Sequence, residues 1–393
     1  MQEINFSCIS FFMNNIYLDS RRVQKNDLFI SLKGSKDDGI YHINEVIKNG
    51  GKLLYSDNFS YNFYPKLKEN LNSILINHYK VKFDFKIIGI TGTNRKTTTS
   101  FLLTKALNKY GYKAKCISTI KDKDAYYSSL TTPRNDDLIR IFKEAEKDKL
   151  DYLIMEVSSI GYKEVRVNDV PFYLVILTSL ESDHIDYHKN VFNNHLSKIE
   201  FIEKCENKLI GINKNNEVFL NEILSKFLKN DEIIEYLLNL PQVPGREEII
   251  SKNPLIIVDY AHTSSALEYV LSKYKNFCKG KLVSVIGAGG NRDKSKRKEY
   301  GNLVYKYSDL SIITSDNPRN EDPKKIIDEI IEDKENIIKI IDREKAIIYG
   351  LSLLKEDDIL LVLGKGNEEY IEINNQFIHS NDKKIIYNYL KNK

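Results

Sequence analysis

The residues from Gly89 to Thr99 have the types and spacing of a loop that binds the phosphates of a nucleotide. They read Gly-Ile-Thr-Gly-Thr-Asn-Arg-Lys-Thr-Thr-Thr and follow a short β-branched run. Backbone N–H groups at such a strand–turn–helix junction can surround phosphate oxygens. Lys96 would contact the β- and γ-phosphates, and the Thr97 hydroxyl would reach Mg²⁺. Because Arg95 precedes the lysine in place of glycine, the pattern is not a regular P-loop, and an ordinary Thr-rich helix start is the alternative.

Alternating strands and helices position this loop. In the first part of the chain the sequence predicts a strand at 27–32 and a helix at 41–48. Around the loop it predicts strands at 85–90, 114–119, 153–158 and 173–178, with helices at 97–110 and 136–147. Beyond Pro244 it predicts strands at 255–260, 282–287, 310–315, 337–341 and 359–363, separated by helices at 265–274, 297–307, 324–333 and 344–354. Such alternation is typical of an α/β fold with parallel sheets and right-handed crossovers.

Composition narrows the possible functions. The 393 residues carry 59 Lys and Arg against 55 Asp and Glu, a net charge of +4 that gives little support to nucleic-acid binding or to an anionic membrane surface. Apolar runs are far shorter than the roughly 18–20 residues of a spanning helix, and the first residues lack a secretory pattern. The cysteines at 8, 116, 205 and 278 form no C-x-x-C pair, so we expect no zinc ribbon and a reducing cytosol.

Short motifs follow one another along nearly the whole chain. They are DSRRV at 19–23, NDLF at 26–29, TTP at 131–133, MEVSS at 155–159, RV at 166–167, DHIDYH at 183–188, PGR at 244–246, DYAH at 259–262, GGNRDK at 289–294, DNPR at 316–319 and GKGNE at 364–368. With the phosphate loop, their order and content resemble the Mur ligase family. Within that family the chain is most similar to members that add the third amino acid to UDP-N-acetylmuramoyl-L-Ala-D-Glu.

The resemblance implies an architecture and an activity. The expected α/β fold has three domains: a small mixed UDP-binding domain at 1–80, a reduced P-loop-type ATP-binding domain at 81–243, and a Rossmann-like amino-acid-binding domain at 244–393. The expected activity is ATP-dependent amide formation through an acyl phosphate in peptidoglycan synthesis, with ATP and Mg²⁺. We expect a cytoplasmic monomer that acts on the UDP-muramoyl dipeptide and a diamino acid, without nucleic acid or membrane insertion.

The resemblance also implies roles for particular residues. ATP would contact Gly92, Thr93, Asn94, Arg95, Lys96, Thr97, Thr98, Arg246 and Asp259. The UDP substrate would contact Ser20, Thr131, Thr132, Ser158 and Arg166. The amino acid would contact Arg292, Asp316, Asn317, Arg319, Gly364 and Glu368. Mg²⁺ would be held by Thr97, Glu156, His184 and a carbamylated Lys198, and Lys96, Lys198 and His184 would act in catalysis. Without the resemblance, Glu156 would be a strand cap, His184 part of a surface turn and Lys198 a solvated helix lysine.

Two arginines indicate the amino acid. Bidentate pairing of arginine with a carboxylate is strong and geometrically selective. In the family, the motif DNPR accompanies meso-diaminopimelate, whose extra carboxylate needs such a fork. Arg319 and Arg292 therefore favour diaminopimelate over lysine, although an arginine in a proline-containing turn is more often a surface residue.

Several positions depart from the family pattern. They are Arg95, Arg134, Ile160, Ser179 and Asn367, together with a shortened stretch from Lys198 to Pro244 that lacks the adenine-contacting region. Two alternatives follow from these departures. One is a non-catalytic homologue that still binds the UDP-sugar. The other is a related ATP ligase that joins a different amino acid to a different carboxylate.

Overall fold

The structure, a computed structural model, describes residues 14–32, 38–54, 67–181, 183, 185–335 and 337–392. The chain folds into two compact units. The first comprises Met1–Leu180 and His195–Leu238, and the second comprises Glu181–Asn194 and Asn239–Lys393. The DHIDYH motif is therefore part of the second unit. Its His184, for which we predict metal binding and catalysis, lies outside the described residues.

The N-terminal part of the first unit contains a small parallel sheet. Its elements are β1 (Ile16–Tyr17), β2 (Leu28–Ile30), α1 (Ile43–Lys48), β3 (Lys52–Leu54) and α2 (Leu71–Tyr79), and the strands pair in the order β1-β2-β3. The predicted strand at 27–32 and helix at 41–48 are confirmed in shortened form. Helix α2 was not predicted from the sequence.

A six-stranded parallel sheet forms the centre of the first unit. From residue 86 to residue 238 the elements are β4 (Lys86–Thr91), α3 (Lys96–Lys109), β5 (Ala114–Ser118), β6 (Ala125–Tyr127), α4 (Asn135–Asp148), β7 (Tyr152–Glu156), α5 (Ser159–Lys163), β8 (Phe172–Leu177), α6 (Ile185–His188), α7 (Val191–Ile202), β9 (Lys208–Ile210), α8 (Asn216–Leu224) and α9 (Asn230–Leu238). Of these, α6 and the first four residues of α7 belong to the second unit. The strand order is β6-β5-β7-β4-β8-β9. Because β4 lies between β7 and β8, the loop that follows it adjoins the carboxyl ends of both neighbours.

The second unit contains a six-stranded sheet covered on both faces. Its elements are β10 (Glu248–Lys252), β11 (Leu255–Asp259), α10 (Ser264–Phe277), β12 (Leu282–Ile286), α11 (Ser295–Tyr307), β13 (Leu310–Ile313), α12 (Pro323–Ile331), β14 (Ile337–Lys339), α13 (Arg343–Ser352), β15 (Ile359–Leu363), β16 (Tyr370–Ile373), β17 (Gln376–His379) and α14 (Asp382–Lys391). The order is β10-β11-β15-β12-β13-β14, with β10 antiparallel. Successive residues of β15 belong to opposite cores: Leu361 packs with α10, α11 and α12, and Leu360 packs with α13 and α14.

All the strands and helices predicted from residue 85 onward are present, with ends that differ by a few residues. The structure adds β6, β9, β10, the hairpin β16–β17 and several short helices. Between β9 and Pro244 the described chain forms α8 and α9 and no further strand, which agrees with the predicted reduction of the central domain. Among the described residues, each helix is too short or too polar to span a membrane.

Candidate functional site

The loop from Gly89 to Thr99 that is predicted to bind phosphates, called the phosphate loop below, is fixed by its contacts with the residues that follow β8. Gly92 has φ +141°, and a Cβ there would lie 2.1 Å from Thr178 Oγ1, so a larger residue does not fit without movement. Thr178 Oγ1 donates to Asn94 O at 2.6 Å. The backbone N–H of Asn94 donates to Ser179 Oγ at 2.9 Å, and that of Thr93 donates to Ser179 O at 3.3 Å. The loop conformation is therefore built into the first unit.

Arg95 adopts the left-handed conformation at the N-cap of α3, with φ +70° and ψ 0°. Positive φ favours glycine, which is the residue that Arg95 replaces in the family pattern. The guanidinium donates to the carbonyl of Thr178, to the carbonyl of Lys214 at 3.4 Å and to the side chain of Asn216. These acceptors lie after β8 and after β9, outside the phosphate loop. Arg95 thus connects the loop to the residue after β8 and to the start of α8.

Two lysines lie against the same loop. Lys96 Nζ donates to Gly92 O at 2.7 Å and to Thr93 O at 3.0 Å, so its ammonium group lies over the loop backbone. Lys198, on α7, is buried and donates to Thr93 Oγ1 at 2.9 Å. Burial of Lys198 contradicts the view of a solvated helix lysine, because only 2% of its surface is exposed. Thr98 lies half-buried in the first turn of α3.

A hydroxyl and a carboxylate that are predicted to bind magnesium lie side by side. Thr97 Oγ1, in the first turn of α3, donates to Glu156 Oε2 at 3.0 Å. Glu156 ends β7 and is 2% exposed. Oxygen ligands of this kind suit Mg²⁺, which commonly uses one or two protein ligands and completes its shell with water and substrate phosphates. The two side chains therefore fit a magnesium ion next to the loop.

Three of the residues predicted to bind the UDP substrate lie together. Thr132 Oγ1 is 3.1 Å from Ser158 Oγ and accepts from Ser158 N at 2.9 Å, and Arg166 Nη1 donates to Thr132 O at 2.6 Å. Thr132 Oγ1 also donates to the carbonyl of Glu156 at 3.2 Å, so this group adjoins the magnesium pair. Thr131 precedes Thr132 directly. Ser20 lies elsewhere, in the N-terminal part, where its hydroxyl donates to Glu45 at 2.7 Å.

Arg246 and Asp259, predicted to contact ATP, both belong to the second unit. Asp259 ends β11 and accepts from the backbone N–H groups of Ala261 at 2.7 Å and Glu247 at 2.6 Å. Burial raises the pKa of the Asp259 carboxyl, while Arg246 and these N–H groups act in the opposite direction. The Arg246 guanidinium stacks 4.1 Å from the centre of the Tyr260 ring.

Asn317 joins several of the residues predicted to bind the amino acid. Its Nδ2 donates to Glu368 Oε2 at 2.9 Å, and its Oδ1 accepts from Lys365 Nζ at 3.2 Å. Lys365 has no exposed surface and also donates to Glu368 at 2.8 Å. Gly364 has φ +103°, and a Cβ on it would lie 2.9 Å from Asp316 Oδ2. The loops after β13 and β15 therefore form one polar cluster.

The two predicted carboxylate-binding arginines adjoin the same glycine. A Cβ on Gly289 would lie 2.9 Å from Arg319 Nη1 and 3.8 Å from Arg292 Cγ. Arg319 has φ +52° and donates through Nη1 to the carbonyl of Gly290 at 2.8 Å. Its Nε forms an ion pair with Glu372 at 3.0 Å. Arg292 is exposed.

Sequence reasoning missed two residues of this cluster, Lys365 and Glu372, and it misjudged Ser179 of the first unit. Lys365 was quoted only as a motif letter, and Glu372 was not considered. Lys365 donates to Asn317, 48 positions away, and Glu372 pairs with Arg319, 53 positions away, so local sequence patterns do not indicate these two contacts. Ser179 was counted as a loss relative to the family, yet its hydroxyl and carbonyl hold the phosphate loop.

Comparisons with known families and proteins find the same family along both units of the chain. Residues 90–240 match the family described as Mur ligase middle domain, and residues 245–366 match the Mur ligase, glutamate ligase domain. The UDP-N-acetylmuramoyl-L-alanyl-D-glutamate–2,6-diaminopimelate ligase of Clostridium botulinum is 33% identical over 460 aligned positions, covering 96% of this chain and 95% of the relative. The ligase of the same name from Aquifex aeolicus is 31% identical, covering 92% and 90%.

The alignment with the Clostridium botulinum protein also bears on chain length. Its 460 positions exceed the 393 residues of this chain, so the relative contains segments that this chain lacks.

Among solved structures, a UDP-N-acetylmuramoyl-L-alanyl-D-glutamate–2,6-diaminopimelate ligase has a TM-score of 0.59 at 21% identity and covers 97% of this chain and 95% of its own. MurF ligase from Thermotoga maritima in complex with ADP has a TM-score of 0.62 at 16% identity, covering 89% and 94%. The chain has the fold of these structures, which is the three-domain architecture predicted from the motifs. The chain belongs to the Mur ligase family.

Proposed function

We propose that this protein is an ATP-dependent ligase that adds meso-diaminopimelate to UDP-N-acetylmuramoyl-L-Ala-D-Glu in peptidoglycan synthesis. The observation that carries the proposal is the convergence of Lys96, Thr97, Glu156 and Lys198 on the loop after β4. Similarity to diaminopimelate ligases over nearly the full length of both chains supports the substrates. Amide formation from a free carboxylate needs activation, which phosphoryl transfer from ATP supplies.

The loop would act mainly by electrostatic stabilisation. Negative charge is spread over phosphate oxygens during the transfer, so donors have to be in place beforehand. The Lys96 ammonium, now held over Gly92 and Thr93, is within reach of a phosphate that enters the loop. The N-terminus of α3 adds backbone N–H groups that lack acceptors within the helix. We propose that Gly92 to Thr98 hold the triphosphate, with Arg246 and Asp259 of the second unit as further ATP contacts.

Thr97 and Glu156 would hold Mg²⁺, which would neutralise part of the negative charge of the phosphates. A buried carboxylate that already accepts a hydroxyl hydrogen bond fits this role without rearrangement of the backbone. We propose Lys198 as a second contributor, if its amine becomes a carbamate, and His184 as another ligand. The group formed by Thr132, Ser158 and Arg166, together with Thr131 and Ser20, would bind the UDP substrate.

Selection of the amino acid would depend on the second unit. Asp316, Asn317 and Glu368 offer acceptors for an ammonium group, and Arg319 and Arg292 offer donors for a carboxylate. A diamino acid with a carboxylate at its far end presents both charges, whereas lysine presents only the ammonium group. We therefore propose that Gly364 and these residues select diaminopimelate.

The experiment is an assay of ADP and phosphate release with purified protein, Mg²⁺ and bicarbonate. We expect release only when ATP, the UDP-dipeptide and diaminopimelate are all present. Omission of each substrate in turn is the control, and a panel of third amino acids measures selectivity. Binding of the UDP-dipeptide without any ATP turnover would favour the non-catalytic alternative, and equal turnover with lysine would contradict the assigned amino acid.

We further propose a cytoplasmic monomer that acts on small molecules and is divided at residues 80 and 243 into the three domains named above. The free thiols of Cys116, Cys205 and Cys278 are compatible with a reducing compartment. The family matches at 90–240 and 245–366 support the boundary near residue 243. Sedimentation at several concentrations tests the monomer.

A further inference from the structure

The hairpin of β16 and β17 lies against the DNPR loop of the second unit. Arg319 N donates to Glu372 O at 2.9 Å, and Asn374 N donates to Arg319 O at 2.9 Å. The backbone N–H of Glu372 donates to Asn317 Oδ1 at 2.9 Å. The backbone of Glu372 is therefore fixed on both sides, and only its side chain is able to turn. This arrangement places a carboxylate of the chain itself beside the guanidinium of Arg319.

That carboxylate uses part of the guanidinium that a ligand would need. Glu372 Oε2 lies 3.0 Å from Arg319 Nε, and the side chains of Glu372 and Arg319 are 20% and 19% exposed. Nη1 of Arg319 donates to Gly290 O and Asn317 O. No hydrogen bond from Nη2 to the described residues is present. A carboxylate that forks across Nε and Nη2 would have to displace Glu372 from Nε.

We propose that Glu372 is a specificity-determining residue that competes with the carboxylate of the incoming amino acid for Arg319. The inference rests on the proposed function and deepens it. In the free protein Glu372 compensates the charge of Arg319, so a substrate without a second carboxylate leaves this ion pair intact. A diamino acid with a distal carboxylate exchanges one ion pair for another. The competition lowers the affinity for such a substrate and reduces its advantage over lysine.

The exchange requires no movement of the main chain. The hydrogen bonds that hold Glu372 to Asn317 and Arg319 use backbone atoms of residue 372, so they persist when the side chain turns away. The released carboxylate is 20% exposed in the paired state and already has access to water.

The test compares the parent protein with Glu372→Gln, which keeps the size and the backbone contacts but removes the charge. Glu344→Gln, an exposed residue of α13, is the matched control for net charge. We expect the KM for meso-diaminopimelate to fall roughly three- to tenfold in Glu372→Gln, which corresponds to a partly buried ion pair of about 0.7–1.4 kcal/mol. The KM for lysine should stay unchanged or rise, and Glu344→Gln should match the parent.

An unchanged or higher KM for diaminopimelate in Glu372→Gln would overturn the proposal, because it would make Glu372 a support of Arg319 instead of a competitor. A calorimetric titration of the full chain with diaminopimelate, compared between the two proteins, repeats the test without turnover. If the parent binds diaminopimelate but forms no product, the proposed function fails, while tighter binding by Glu372→Gln still supports the competition. Equal dissociation constants overturn it.

Discussion

Replacement of Thr97 by valine tests the magnesium pair directly. The side chains are nearly equal in volume and both are β-branched, so the first turn of α3 should keep its conformation. What disappears is the hydroxyl that donates to Glu156 Oε2 over 3.0 Å between two side chains that are 7% and 2% exposed. A hydrogen bond to a charged group contributes about 1.5–3 kcal/mol, and the buried carboxylate loses this donor.

We expect two separate effects of Thr97→Val. The free energy of unfolding of the first unit should fall by about 1.5–3 kcal/mol, measured by chemical denaturation. The kcat for ADP release at saturating substrates should fall by about 10²–10³, since the Thr97 hydroxyl is proposed as an oxygen ligand of Mg²⁺ and would be lost. Thr97→Ser keeps the hydroxyl and should recover most of both quantities. Activity of the valine variant within threefold of the parent, with the same Mg²⁺ dependence, would refute the assignment.

Three further outcomes follow from the described contacts. Gly92→Ala should abolish nucleotide binding, measured by titration with ADP. The alanine Cβ would lie 2.1 Å from Thr178 Oγ1, so the loop would have to change its conformation. Arg95→Ala should lower the thermal midpoint more than Arg95→Gly does. Both variants lose the guanidinium contacts, but glycine also relieves the strain of the left-handed backbone, about 1 kcal/mol. Equal midpoints of the two variants would contradict this expectation. Arg297 lowers the pKa of Glu321 from 4.5 to about 2, so the stability gained from this ion pair is present above pH 4.5 and is lost as the pH falls towards 2. Glu321→Gln should therefore be less stable than the parent at pH 7 and equal to it near pH 2 in thermal melts.

The strands and helices around the loop after β4 could be predicted from the sequence because the patterns that define them are local. The β-branched run before Gly89 and the helix after Lys96 define β4 and α3 from neighbouring residues alone. The site at the carboxyl ends of these strands then follows from the rules of parallel sheets. The short strands β9 and β10 carry weaker patterns, and β10 pairs antiparallel at the sheet edge, so neither was anticipated.

Side-chain pairing between distant residues explains the remaining misses. Lys365 is buried because Asn317 and Glu368 satisfy its ammonium group, and nothing within the motif GKGNE indicates that burial. Glu372 meets Arg319 only because the hairpin folds onto the DNPR loop. The role of Arg95 depended on backbone conformation and on acceptors more than 80 residues away, which a motif comparison does not provide.

In the proposed function, phosphoryl transfer at the loop after β4 activates the carboxylate of the UDP-dipeptide. The most direct measurement uses UDP-dipeptide labelled with ¹⁸O in the reacting carboxylate. In the proposed reaction a carboxylate oxygen attacks the γ-phosphorus and ADP leaves; the amine then attacks the carbonyl carbon, and phosphate leaves with that oxygen. We predict one ¹⁸O atom in the released phosphate for each amide bond formed. Product formation with unlabelled phosphate would contradict the account.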